Sequence, residues 1–208
     1  MDGDTDGLLV AGELDGDTLG DDVIGDRVGV AEGEDVIGDS VGEVLGDEVV
    51  GEVLGENDGL DVTGDEEGET LGAEDTGDDD GEKLGALVTG ESEGEADGLL
   101  VTGDVLGDTL GDDVTGESLG ATEGGLVIGA FEGEALGDEV TGDCVGEDVG
   151  IDVIGDSEGD TEGLLVLGDV EGDVVGLEVS GDVEGEVLGE EVAGEMDGDT
   201  LGKLVAGD

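Results

Sequence analysis

Valine returns every thirteen residues along this chain. It stands at Val10, Val23, Val36, Val49 and Val62, gives way once to Asp75, and resumes from Val88 through Val205. The residue that follows it is Ile, Val, Leu, Thr, Ala or Ser every time, so each repeat carries a two-residue patch suited to a continuous buried row. Glycine punctuates the stretches between. All but one of the 49 glycines lie on a single grid, spaced four, four and five, running from Gly3 to Gly207; the exception is Gly125. The unit reads G-acid-x-x-G-acid-x-x-G-x-x-Val-x, as in residues 103–115, and the 208 residues hold sixteen such steps. A fixed period of this kind makes each unit one supersecondary step stacked on its neighbours.

Helix fails the pattern test. With a turn completed about every 3.6 residues, glycines at offsets 0, 4, 8 and 13 walk around the helix axis, so no constant face forms. Each interior glycine would also cost about 1 kcal/mol relative to alanine. Extended structure fits Val, Thr and Ile, with glycines supplying turns every four or five residues. The pattern predicts an all-β tandem repeat over residues 1–208: a narrow β-solenoid of 13 residues per coil and about 16 coils, with three short sides and three glycine corners. Around the third glycine, Leu-Gly-acid (Leu19-Gly20-Asp21, Leu45-Gly46-Asp47, Leu136-Gly137-Asp138) exchanges with acid-Gly-Leu (Asp6-Gly7-Leu8, Asp58-Gly59-Leu60, Asp97-Gly98-Leu99, Glu162-Gly163-Leu164). Such an exchange is expected of a unit with a fixed quota of buried side chains.

Charge changes this picture. Sixty-five acids face three bases, Arg27, Lys83 and Lys203, for a net charge of −62, with almost no internal salt bridging expected. At about 4.8 Å of rise per coil, that is roughly one charge per 1.2 Å, denser than duplex DNA at about 1.7 Å. In-register acids such as Asp104 and Glu117 would repel by about 0.9 kcal/mol per pair even in water. The alternative architecture is therefore an intrinsically disordered polyanion, which the lack of Trp and Tyr, a single Phe (Phe131) and low complexity also suit. Direct binding of nucleic acid and of anionic membranes is excluded, since both need basic residues. Divalent cations, a basic protein or a mineral surface are the expected partners.

Catalytic chemistry has little to draw on. There is no His and no Tyr, and the carboxylate pairs recur in every unit, which makes each uninformative. Asp78-Asp79-Asp80, the densest acid run, reads as a solvated turn. Cys144 is alone, so no intrachain disulfide forms, and it reads as an ordinary thiol at a variable position. No phosphate-loop motif occurs, Lys83 and Lys203 both preceding Leu. The leading expectation is a non-enzymatic structural or interaction protein holding divalent cations, calcium above all, through stacked carboxylates. No individual metal ligand is singled out in columns that recur sixteen times.

Three comparisons of principle bear on this. The calcium-binding solenoid unit G-G-x-G-x-D-x-U-x has a nine-residue period and a double glycine, whereas this chain has one such pair, Gly124-Gly125. Its sites are not carried over. Narrow insect ice-binding solenoids are similar in period, but Thr here makes a single run, Thr63, Thr76, Thr89, Thr102 and Thr115, ended by Ile128. Translation of a simple DNA repeat with no selected function would also yield a chain dominated by Gly, Asp, Glu, Val and Ala. The start, Met1-Asp2-Gly3-Asp4, carries no leader pattern, and no apolar run is long enough to span a membrane. No capping unit is recognisable from Met1 through Gly207-Asp208, which leaves two readings, caps that were lost or end-to-end self-association of the units.

Overall fold

The computed structural model describes residues 3–206; the side chains of residues 204 and 205 are outside that description. The last members of the two sequence patterns, the Val205 side chain and Gly207, and the terminal pairs Met1-Asp2 and Gly207-Asp208 thus lie outside the described residues. The described chain is all-β. It falls into two compact units, residues 1–104 and 105–208, and each is a parallel β-solenoid, about 15 turns in all.

Within the first unit the strand Val44–Val50 pairs in parallel with Asn57–Thr63, residue i meeting residue i + 13: Val44 with Asn57, Val49 with Val62, Val50 with Thr63. The second unit repeats this between Ala135–Thr141 and Asp148–Ile154. The long side of a coil is either one seven-residue strand, such as Val44–Val50, or a two- and a three-residue strand parted at the glycine, such as Thr70–Leu71 and Glu74–Thr76; the short side is a two-residue strand, such as Val53–Leu54 or Val183–Glu184, or a single bridge. Backbone donors between the sides are used as well: Gly51 and Val53 N–H groups donate to the Thr63 and Asp65 carbonyls at 3.0 Å. The polar backbone is satisfied from coil to coil, as a structure with little side-chain core requires.

Three side chains per coil point inward. In residues 51–63 they are Val53, Asn57 and Val62, all buried. The residue after each valine does not join it: Ile24 is 41 % exposed beside buried Val23, and Thr63 is likewise exposed. Successive strand residues face opposite sides, so the expected two-residue buried patch narrows to one. Leucines on both sides of the third glycine, including Leu19, Leu45, Leu8 and Leu60, are exposed. Their exchange with acids is therefore not a burial quota; both flanking positions face outward.

Two kinds of glycine replace the three expected corners. The first and second of each unit turn the chain: Gly64 has φ +155°, and a Cβ there would lie 1.9 Å from the Gly51 carbonyl oxygen. The third sits within the long side and faces inward. A Cβ on Gly59 would lie 2.9 Å from Val62 Cγ2 and 3.2 Å from the Gly46 oxygen. It is glycine because the interior has no room beside the valine row.

Candidate functional site

Two arrangements of charge arise from this geometry, one outside and one inside. Outside, the residues after the first two glycines form two columns with one position per coil. Where the residue is Asp, its Oδ1 accepts the backbone N–H of the residue thirteen positions on: Asp39 from Glu52 at 3.1 Å, Asp78 from Glu91 at 3.0 Å, Asp169 from Asp182 at 2.8 Å, Asp160 from Asp173 at 2.9 Å. The short Asp side chain thus fastens one corner to the next. This role was not legible in composition, where every acid looks alike. In the first unit the column after the second glycine contains Glu43, Glu56, Glu69, Glu82 and Glu95, five successive exposed carboxylates. Beside it Leu19, Leu45 and Leu60 line a groove of about 400 Å³ rimmed by Glu32, Glu34, Asp47 and Asp58.

Inside, the first unit holds an ionisable cluster. Lys83 enters from the long side, Glu66 and Asp79 from the short side, and Asp75 from the valine row, and all four are buried. Lys83 Nζ lies 3.2 Å from Asp79 Oδ2 and 3.9 Å from Asp75 Oδ2, and donates to the Gly77 carbonyl at 2.7 Å. Glu66 accepts from Asn57 Nδ2 at 2.5 Å and from the Thr70 hydroxyl. No hydrogen-bond donor meets the carboxylate oxygens of Asp75, and Asp79 has only the Lys83 ammonium and the Glu66 backbone beside it. Burial pushes Asp75 up to about 6, with Lys83 opposing and Glu66 adding. Asp79 rises to about 6 through burial and then the charge of Asp75. Glu66 is also raised by burial, against the pull of its Thr70 and Asn57 donors.

Several expectations are corrected here. Asp78-Asp79-Asp80 is not a solvated turn throughout: Asp78 and Asp80 face out, while Asp79 is buried because its position is the inward one of the short side. Ion pairing in the interior is confined, among the described residues, to Lys83, in keeping with the scarcity of bases. Arg27 is buried too, its guanidinium donating to the Gly25 and Ile37 carbonyls at 2.8 and 3.0 Å, and burial lowers its pKa against the opposing charge of Asp26. Lys203 alone of the three bases is outside, paired with Glu190. Cys144 is not an ordinary thiol but a core residue. Burial pushes its pKa up, as does nearby Asp148, and it donates weakly to the Gly133 carbonyl at 3.7 Å. A signal for the cluster existed: Asp75 interrupts the valine row, and the thirteen-residue grid puts Glu66 and Asp79 in the column of Val53.

Among the described residues, no group of three or more His, Cys, Asp or Glu side chains is arranged to hold a metal ion. No described helix is long and apolar enough to cross a membrane. Neither a family model, a curated protein nor a solved structure matches the chain.

Proposed function

We propose that this is a non-enzymatic interaction protein that holds divalent cations, calcium in particular, along its outward carboxylate columns. The observation that supports this reading is the register: apart from Val30, Ala121 and Ala130, each coil places a carboxylate at the same two corners, and Glu43 through Glu95 form an unbroken five-member column. Adjacent coils are about 4.8 Å apart, a spacing at which one hard cation can be shared between successive carboxylates. Binding is multivalent, with avidity coming from repetition rather than from an enclosed site. The Asp members already hold the next corner's N–H, which leaves the Glu column as the principal cation-binding edge.

The test is a calcium titration at low ionic strength, followed by far-UV circular dichroism and hydrodynamic radius. A cooperative gain of β signal with compaction is expected at calcium levels where equal magnesium does little. Gradual compaction that sodium chloride reproduces would defeat the proposal. Replacing Glu43, Glu56, Glu69, Glu82 and Glu95 together with Gln should weaken the calcium response of the first unit.

The acid-rimmed leucine groove favours a second reading, a basic partner seated on Leu19, Leu45 and Leu60. A lysine-rich amphipathic peptide should bind, an acidic analogue should not, and Leu45→Ser should weaken the binding. Equal retention of both peptides would remove this reading.

A further inference from the structure

The interior cluster lies outside this proposal, since none of its side chains reaches the surface. Three carboxylates share one ammonium in a space closed to water, the Lys83 and Asp79 side chains being fully buried and that of Asp75 1 % exposed. One lysine neutralises one acid. The remaining negative charges would be held in a low-dielectric interior, where an unpaired charge is strongly destabilising. Glu66 receives two side-chain donors, Asp79 has only Lys83 and the Glu66 backbone beside it, and the oxygens of Asp75 receive no donor. A carboxylate in that setting takes a proton before it takes a charge.

We propose that Glu66, Asp75, Asp79 and Lys83 form a proton-operated lock inside residues 57–92: protonated carboxylates hold those coils closed, and ionised ones loosen them while valine-lined coils stay shut. Every element packed around the cluster is accounted for. The short side presents Val53, Glu66, Asp79 and Ser92 inward; the long side presents Asn57, Thr70, Lys83 and Ala96; the valine row presents Val62, Asp75 and Val88. The other acids of these coils, Asp58, Asp61, Asp65, Glu67, Glu69, Glu74, Asp78, Asp80, Glu82, Glu91 and Glu93, face outward. The lock therefore rests on the three buried carboxylates gathered around Lys83.

The direction follows from linkage. Asp75 and Asp79 have folded-state values of about 6 against 3.8 for the free side chain. Folding takes up protons, so the stabilisation is complete below about pH 4 and is lost as pH rises through about 6. Neutral and alkaline conditions open the coils, and mild acid closes them. A column of valines has no such response. Residues 166–192, lined by Val166, Val170, Val174, Val179, Val183, Val187 and Val192, are the internal control.

Hydrogen–deuterium exchange on the full chain at constant ionic strength tests this. After correction for intrinsic rates, amides in residues 57–92 should exchange at least about tenfold faster at pH 8 than at pH 5, as one pKa shift of a unit already implies. Residues 166–192 should change much less. The double variant Asp75→Asn with Asp79→Asn keeps the shape without the ionisation and should flatten the pH response. Should it fail to fold, Asp75→Val, which restores the residue of the row, should reduce the response instead. Equal pH responses of the two stretches, or an unaltered response in the folded variant, would overturn the proposal. So would carboxyl 13C titration placing both aspartates near 4 in the folded chain.

Discussion

Residues 57–92 and residues 166–192 share one backbone and differ in what fills it. Both pair in parallel at a register of thirteen. The later stretch is lined by valine, with Met196 packed against its end. The earlier one interrupts an apolar cluster that runs from Val23 to Val62 and replaces it with Glu66, Asp75, Asp79 and Lys83. Coil geometry is therefore set by glycine and the backbone ladder, while the stability of each coil is set by its three inward side chains. Repetition fixes the shape of the coil without fixing how firmly it is closed.

The largest effect should come from moving the charge into the apolar stretch. Val179→Asp copies the Asp75 substitution into residues 166–192 with no lysine to meet it. Chemical denaturation at pH 7 should show a loss of about 3–5 kcal/mol in the second unit; a loss below about 1 kcal/mol would mean that the interior is wetter than its burial indicates. Lys83→Met should come next, leaving three buried carboxylates without their cation. We expect about 3 kcal/mol at pH 7 and a much smaller loss at pH 4, where the acids are protonated. A pH-independent loss would indicate that Lys83 acts only by packing.

Asp75→Val should make the two stretches more alike. It removes a buried charge and completes the valine row, giving a gain of about 1–3 kcal/mol at pH 8 that fades toward pH 4. Destabilisation at pH 8 would show that the Lys83–Asp75 contact outweighs the burial of the carboxylate. The smallest effect belongs to the corners. Asp169→Glu moves the carboxylate off the Asp182 N–H, and exchange at that single amide should quicken with little change in global stability.

The valine row and the glycine grid made the coil legible in sequence, because both recur at one fixed residue type. The other two inward positions did not, for a physical reason. Leu14, Arg27, Ser40, Val53, Glu66 and Asp79 succeed one another in a single column, and a two-residue strand is too short to display alternation. Inward Asp79 could not be told from outward Asp78 and Asp80 without the fold. The outward leucines misled for the opposite reason: in a slender coil most side chains are outside, so an apolar residue is no guide to burial. Cys144 was legible as unpaired but not as buried, since its column has no consistent chemistry.

The uniform register has a consequence for how such a chain can vary in length. Each coil bonds to the one thirteen residues on, so excising or inserting a whole coil brings equivalent donors, acceptors and glycine turns back together. A change of one residue shifts every inward side chain beyond it to the outside, and a change of one or two brings a Cβ against a carbonyl at each turn. Growth and shrinkage of this molecule are quantised in units of one coil, and a family of lengths differing by multiples of thirteen could share a single structure.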